Sequence, residues 1–300
     1  MKALPFLCCL ARPSALLRAT VVELAILVGH LLLYPTGIQQ EQPRALPGTA
    51  AGPDPEHGTG GADEIDTGTR TAAGTVPSAR TALLPTEGRA HPPVLLLHGF
   101  IDNRSVFVLL RRSLLRHGWR HVEALNYSPL TCDLRKAAEL LGRHVEQVCE
   151  RTGHSRVDLV GHSLGGLIAR YYAQRLGGDL RVRTLVTLGT PHGGTRVAPL
   201  MSAHPLVRQM RPHSDVIVEL ARPAPNCRTH FVSFWSDLDQ LMVPVETARI
   251  DHRDLITRSV RVSGVGHLAL PVNGAVAAGI REALGAEEKA EGSVSTTSVA

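Results

Sequence analysis

A five-residue stretch, Gly161-His-Ser-Leu-Gly165, constrains the fold of this chain more than any other feature. It stands between the apolar run Val157–Val160 and an apolar stretch with helical spacing, Leu164–Leu176. So short a turn from a buried strand into a helix forces its central residue, Ser163, into strained backbone angles. Side chains at either glycine would collide with the neighbouring strand and helix. The pattern predicts a serine oxygen raised above a sheet, at a helix N-terminus where amide dipoles favour negative charge.

Strand-length apolar runs alternate with helical patterns on both sides of this turn, which predicts βαβ units and a mostly parallel sheet. The predicted strands are Val94–Leu97, Val122–Tyr127, Val157–Val160, Arg183–Leu188, His230–Trp235 and Ser259–Ser263. The predicted helices are Arg104–His117 with Asp102 or Asn103 as cap, a long helix from Thr131 to Gly153, Leu164–Leu176, and Val272–Leu284.

One connection is unusually long, because 36 residues from Gly193 to Arg228 separate two strands. It is rich in apolar residues, and Ser214–Leu220 has the pattern of a capped helix. An insertion of this kind is expected either to roof a pocket as a cap or lid, or to pack as an ordinary excursion of the fold.

Composition divides the chain into four parts. Residues 1–34 place basic residues before an apolar run, as in a signal anchor or signal peptide. Glu23 and His30 interrupt that run, so an amphipathic helix packed on the domain is the alternative. Nine prolines and nine glycines occupy the 59 positions from 35 to 93, so residues 35–91 are expected to form a flexible linker. Residues 92–286 are expected to be the globular domain, and residues 287–300 a disordered tail.

A serine hydroxyl becomes an effective nucleophile only when a base takes its proton. His267 is the candidate base, because it ends a glycine-rich loop that begins at Gly264, directly after the last predicted strand. The acid that orients such a histidine is expected after the preceding strand, where two aspartates occur. Asp239 is favoured because it stands closer to the apolar turn 241–244, and Asp237 is the alternative.

Negative charge on a carbonyl oxygen attacked by Ser163 needs preorganised hydrogen-bond donors. One is expected from the backbone N–H of Leu164, directly after the serine. The other is expected from the N–H of Phe100, where Gly99 lets the loop after the first strand turn inward. Each such donor typically lowers the barrier by about 3 kcal/mol. The neighbouring His98 is interpreted as a structural residue that holds this loop.

No metal or other cofactor is expected. His192 lies in the tight turn Gly189-Thr-Pro-His-Gly-Gly194, and no Cys, Asp or His stands at ligand spacing from it, so it is interpreted as structural. The five cysteines are too few for a disulfide scaffold. Cys132 and Cys149 lie too far apart on one predicted helix to pair, and Cys227 could pair with either only if the fold brings them close, so no obligatory disulfide is expected.

Five short motifs occur in the same order as in a known family. They are His98-Gly-Phe100, Gly161-His-Ser-Leu-Gly-Gly166, Gly189-Thr-Pro-His-Gly-Gly194, Asp239 before Val-Pro, and Gly266-His267. Together, over about 190 residues, they resemble bacterial lipases of the α/β-hydrolase fold. The resemblance implies a mostly parallel sheet flanked by helices with a cap or lid insertion, Ser163, Asp239 and His267 as a catalytic triad, and Phe100 and Leu164 as oxyanion donors. The family commonly shows one aspartate in the acid loop, so the second leaves Asp237 open.

The expected activity is a serine carboxylester hydrolase, a lipase that cleaves acylglycerols or other fatty-acid esters through an acyl-enzyme. An acyltransferase or thioesterase with the same three side chains is the alternative, followed by a non-catalytic lipid-binding module. The net charge of +5 comes from scattered arginines and aromatic residues make up only 4%, so nucleic acid is not an expected partner. The expected partners are a fatty-acyl ester and a membrane or lipid surface. The protein is expected to be a monomer, anchored through residues 1–34 or secreted.

Overall fold

The computed structural model describes residues 17–18, 20–29, 32, 35, 91–127, 133–197 and 204–295. All of them belong to one compact unit, made of Met1–Glu41 and Ala90–Ala300. Nearly all of the predicted linker, the predicted cap Thr131 and the cysteine Cys132 lie outside the described residues.

Six strands form one sheet in the order β2-β1-β3-β4-β5-β6, and each neighbouring pair is parallel. The strands are β1 Val94–Leu97, β2 Val122–Leu125, β3 Val157–His162, β4 Val182–Leu188, β5 His230–Ser236 and β6 Ile256–Val262. The α/β class predicted from the alternating pattern is confirmed. Parallel strands end at one edge, so the loops after β1, β3, β5 and β6 meet there, with the order reversing between β1 and β3.

Helices cover both faces of the sheet. They are α1 Val108–Arg116, α2 Leu134–Thr152, α3 Leu164–Arg175, α4 Pro205–Gln209, α5 Asp215–Ala221 and α6 Gly274–Ser295. Short 3-10 turns occupy Arg104–Phe107, Gly178–Leu180, Val245–Ala248 and Leu270–Val272. Leu95 and Leu97 of β1 pack in the layer with α2 and α3, whereas Val94 and Leu96 pack in the layer with α1 and α6. Burial on both faces explains why this strand is a continuous apolar run.

Several predicted helix ends need correction. The Asn103 side chain accepts a hydrogen bond from the N–H of Ser105 and caps the first 3-10 turn, which decides between the two candidates there. Asp133 caps α2, and Gly153 ends it in the left-handed conformation. The last helix was predicted to end at Leu284, but α6 continues to Ser295, because Gly285 continues the helix and no proline follows it. Part of the predicted tail is therefore helical.

The long insertion contains the predicted capped helix. The side chain of Ser214 accepts a hydrogen bond from the N–H of Ile217 at the start of α5. Arg170 of α3 is buried and donates to the carbonyl of Leu220 at 3.1 Å. Glu219 accepts from Tyr171 at 2.7 Å. These bonds and the burial of Leu220 make α5 a packed part of the domain.

Residues 20–29 are helical, and we refer to them as the N-terminal segment. They contact the domain through Thr20, which accepts a hydrogen bond from Gln240, and through Glu23. Contacts of this kind fit the alternative prediction, an amphipathic helix that packs on the domain. Within the part of the chain that the structure describes, no helix combines the length and the apolar composition needed to cross a membrane. Cys149 and Cys227 are free thiols.

Candidate active site

The turn between β3 and α3 has the strained geometry that the sequence predicts. Ser163 has a φ of 52° and a ψ of −118°, a conformation that a residue with a side chain rarely adopts. A Cβ at Gly161 would lie 2.5 Å from the Cα of Gly166, and a Cβ at Gly165 would collide with the backbone carbonyl of Leu97. Both glycines are therefore required by close approach of the helix and of β1, as expected.

The loops after β5 and β6 bring Asp239 and His267 into direct contact. Nδ1 of His267 lies 2.8 Å from Oδ2 of Asp239, and both side chains are buried. The other carboxylate oxygen, Oδ1, accepts hydrogen bonds from the N–H groups of Leu241 at 2.9 Å and Met242 at 3.1 Å. The two amides fix the carboxylate in one orientation. Because Nδ1 is engaged by Asp239, Nε2 is the ring nitrogen left for a further partner.

The alternative acid, Asp237, lies elsewhere. Its Oδ2 is 2.8 Å from a guanidinium nitrogen of Arg261, and its Oδ1 accepts from the N–H of Gly264 at 3.3 Å. Partial burial would raise the pKa of Asp237, but the hydrogen bonds from Arg261 and Gly264 outweigh it and lower the pKa. The structure therefore brings only Asp239, of these two aspartates, into contact with His267.

The charged groups around His267 stabilise its protonated form more than bulk water would. Burial alone would lower its pKa, but Asp239 raises it through both charge and hydrogen bonding. Asp102 and Glu23 add smaller effects in the same direction, and the net result is a pKa above the ordinary 6.5. A histidine held in this way readily accepts a proton and keeps the resulting charge stabilised.

Ser163 and His267 line the same cavity. Its walls are mainly apolar, as expected of a site for an apolar ligand: Phe100, Ile101, Val197, Val207, Met210, Leu241, Met242 and Leu268 all contribute. Val207 and Met210 come from the long insertion, which therefore forms part of the wall. Whether the insertion moves as a lid stays a prediction.

The two backbone amides predicted to bind an oxyanion flank the serine. Leu164 is the first residue of α3, and the first N–H groups of a helix have no partner within it. Phe100 lies in the loop after β1, which passes so close that a Cβ at Gly99 would be 3.4 Å from Cβ of Ser163. Phe100 lines the cavity together with Ser163, and Leu164 directly follows that serine.

The other two histidines that the sequence singles out are buried in the scaffold. Nδ1 of His98 contacts the carbonyl of Gly99 at 2.8 Å, and the ring stacks on Tyr127 with centroids 4.2 Å apart. Nε2 of His192 lies 3.0 Å from the Thr187 hydroxyl, and burial lowers the pKa of His192 well below its ordinary value. Among the residues with described positions, no group of three or more His, Cys, Asp or Glu is arranged to hold a metal ion.

Comparison with known proteins agrees with this architecture. A family model described as the alpha/beta hydrolase fold matches residues 92–212. A triacylglycerol lipase from Pseudarthrobacter phenanthrenivorans is 35% identical over 114 residues, which cover 35% of this chain and 35% of that protein. A triacylglycerol lipase from Burkholderia plantarii is 34% identical over 114 residues, covering 35% of this chain and 31% of that protein. The crystal structure of the mature Bacillus licheniformis lipase BlEst2 superposes with a TM-score of 0.50 at 14% identity, covering 63% of this chain and 89% of that one.

The chain has the α/β-hydrolase fold. The matches confirm the fold and the resemblance to bacterial lipases and esterases that the sequence motifs predict. The chain spans about a third of the length of the curated relatives it matches. In α/β-hydrolase proteins the loops at the carboxyl edge of the sheet carry the chemistry, and the cavity described above lies at that edge.

Sequence reasoning missed a second histidine–carboxylate pair beside this cavity. Nδ1 of His162 lies 3.2 Å from Oδ2 of Asp102, and Nε2 lies 3.2 Å from the backbone carbonyl of His267. Both side chains are buried and both line the cavity. The only signals in the sequence were that His162 precedes the serine and that Asp102 stood beside the helix cap at Asn103.

Proposed function

We propose that the protein is a serine carboxylester hydrolase that cleaves fatty-acid esters, with Ser163 as nucleophile, His267 as base and Asp239 as the acid that orients it. The observation that supports this most is the shared cavity. A serine at a positive φ and a histidine bonded to a buried carboxylate line one apolar pocket. An acyl chain fits such walls, and a small soluble metabolite would leave them unsatisfied.

The proposed reaction has two halves. The hydroxyl oxygen of Ser163 attacks the ester carbonyl carbon while Nε2 of His267 takes the hydroxyl proton. The carbonyl oxygen gains the negative charge, which the N–H groups of Phe100 and Leu164 stabilise. The tetrahedral intermediate collapses, and the alcohol leaves with the proton from His267. Water then attacks the acyl-enzyme with His267 again as base, and the fatty acid and free Ser163 are released.

Replacement of Ser163 by alanine in the full chain tests this function. Hydrolysis of soluble p-nitrophenyl esters is expected to fall by several orders of magnitude, and labelling by a fluorophosphonate probe is expected to disappear. Ser155→Ala, which removes an exposed hydroxyl, serves as the control and should leave both unchanged. Wild-type rates in Ser163→Ala would refute the proposal. Faster transfer to added alcohols or faster cleavage of acyl thioesters would instead favour an acyltransferase or a thioesterase.

We also propose that the N-terminal segment and the residues next to it bind a lipid surface. Leu17, Val21, Leu24, Val28 and Leu32 recur at helical spacing, and each is at least half exposed. Such a stripe of apolar side chains is typical of helices that lie in a membrane interface. The segment contacts Gln240, the neighbour of Asp239, so a lipid bound there would lie beside the proposed active site.

Replacement of one apolar residue of this stripe by a charged residue tests whether the segment binds a lipid surface. Leu24→Glu is expected to weaken binding to phosphatidylcholine–phosphatidylglycerol vesicles by roughly tenfold, because a buried leucine contributes about 1.5–3 kcal/mol. Leu180→Glu, at an exposed leucine of a 3-10 turn in the domain, is the control and should bind like the wild type. Equal binding of the Leu24→Glu protein and the wild type would contradict the proposal.

A further inference from the structure

A carboxylate from the N-terminal segment binds the loop that carries His267. Oε2 of Glu23 accepts a hydrogen bond from the N–H of Leu268 at 2.8 Å, and Oε1 accepts from the N–H of Ala269 at 2.9 Å. Gly266, which directly precedes His267, lies so close to Glu23 that a Cβ on it would collide with the Glu23 side chain. Glu23 thus contacts the loop on both sides of His267.

The two adjacent backbone amides that Glu23 binds each need a hydrogen-bond acceptor. The N–H groups of Leu268 and Ala269 open the turn that leads into the 3-10 residues Leu270–Val272, and such amides lack partners within the turn. A carboxylate that accepts from both forms charge-assisted hydrogen bonds, which are stronger than bonds to neutral acceptors. The backbone directly after His267 is therefore held in one place by a side chain that lies 245 positions away in the sequence.

The same segment also contacts the loop of the acid. Oγ1 of Thr20 accepts a hydrogen bond from Nε2 of Gln240 at 3.0 Å, and Gln240 directly follows Asp239. Thr20 and Glu23 are three residues apart and so lie on one face of the helix. One face of the N-terminal segment thus contacts both the loop that carries His267 and the loop that carries Asp239. The side chains of these two residues form the 2.8 Å contact described above.

We propose that Glu23 is a positioning residue for His267, and that the N-terminal segment is therefore part of the active site as well as a lipid-binding element. This inference rests on the proposed hydrolase function. It assigns a role to Glu23, the acidic residue that makes residues 1–34 a poor membrane span. Removal of the carboxylate frees two amides and lets the loop after His267 relax, so that Nε2 meets the Ser163 hydroxyl less often.

The kinetic test compares Glu23→Gln and Glu23→Ala with the wild type in the full chain, on a soluble short-chain ester that needs no lipid surface. We expect kcat to fall about tenfold or more, since small displacements of catalytic groups are costly, while KM changes little. Glu139→Gln removes an exposed carboxylate from α2 and is the matched control, expected to match the wild type. Wild-type kcat in both Glu23 variants would overturn the proposal.

The pH profile separates positioning from a general loss of stability. His267 is faced by Asp239, Asp102, Glu23 and the ring of His162. Because Glu23 is one of the carboxylates that raise the pKa of His267, its neutralisation should move the acid limb of kcat/KM to lower pH. A purely structural residue would lower the melting temperature and leave the limb in place, and that result also counts against the proposal.

Amide hydrogen exchange gives a readout that does not depend on activity. The amides of Leu268 and Ala269 should exchange at least several-fold faster in Glu23→Ala than in the wild type and in the Glu139→Gln control. Unchanged exchange would show that Glu23 does not hold the loop. If the wild-type protein is inactive towards esters and fluorophosphonates while exchange still depends on Glu23, the hydrolase function fails and the loop contact stands.

Discussion

The rings of His162 and His267 lie 4.7 Å apart, centroid to centroid, and Nε2 of His162 faces the backbone carbonyl of His267 at 3.2 Å. His162 is in turn held by Asp102, whose Oδ2 is 3.2 Å from Nδ1. The backbone of His267 is therefore supported from the β3 side by a buried histidine, while Glu23 holds the loop just after it. Its ring is oriented separately, by Asp239.

Replacement of His162 by leucine removes this support with little change in volume. We expect kcat on a soluble ester to fall about tenfold, because the His267 carbonyl loses its contact with the imidazole and the buried Asp102 loses one of its contacts. His162→Gln keeps an amide donor in roughly the same place and should recover part of the rate. Steady-state kinetics together with melting temperature measure the effect. Full activity in a folded His162→Leu protein would show that the contact is not needed.

The two aspartates of the acid loop should differ sharply in their effect on rate. Asp239→Asn leaves a neutral amide against Nδ1 of His267, which disturbs the tautomer and removes the charge, so kcat should fall by roughly four orders of magnitude. Asp237→Asn breaks a part-exposed pair with Arg261 and should change kcat by less than about threefold. Kinetics of the two variants side by side provide both the test and its control. Similar losses in both would mean that the loop rearranges when the ester binds.

The pH dependence of kcat/KM follows from the carboxylates around His267. In the proposed reaction His267 acts as a base only when its ring is neutral, and the surrounding charges raise its pKa above the ordinary 6.5. The rate is therefore expected to fall as the pH drops through a midpoint above 6.5, by about tenfold per unit below it. Measurement with a soluble ester from about pH 5 to 9 locates this limb. A midpoint below 6.5 would mean that burial outweighs the three carboxylates.

The position of Ser163 in a tight turn could be predicted, because the glycines that such a turn requires are visible in the sequence. Only glycine fits at 161 and 165, where helix and strand approach within contact distance, and this leaves a signature that needs no structure. The place of His267 beside the same cavity as Ser163 could be predicted from its position after the last strand and from the glycines around it. The sequence favoured Asp239 but left Asp237 open, because both follow β5 in the same loop. The choice depends on how Asp239 accepts from the amides of Leu241 and Met242.

The missed residues share a different property, since they act through contacts between distant parts of the chain. His162 and Asp102 are 60 positions apart, and Glu23 and Leu268 are 245 apart. No periodicity or spacing records such pairs. Glu23 within an apolar run pointed to a helix that packs on the domain, but not to the loop that its carboxylate binds. Helix ends were also hard to predict, because local interactions determine where a helix begins and ends. Asp133 caps the start of α2, and α6 continues past Leu284 to Ser295.

A buried ion pair far from the cavity should matter for stability and not for catalysis. Asp158 of β3 accepts from Arg183 of β4, with Nε to Oδ1 at 3.0 Å, and Arg183 also donates to the carbonyl of Leu284 in α6 at 2.9 Å. Both side chains are almost completely buried. Removal of one partner leaves an uncompensated charge, so Asp158→Ala should lower the free energy of unfolding by about 3–5 kcal/mol. Glu282→Ala breaks the exposed pair with Arg258 and should cost less than about 1 kcal/mol. Urea unfolding of both variants checks the difference, and equal losses would show that the buried pair contributes no more than a surface one.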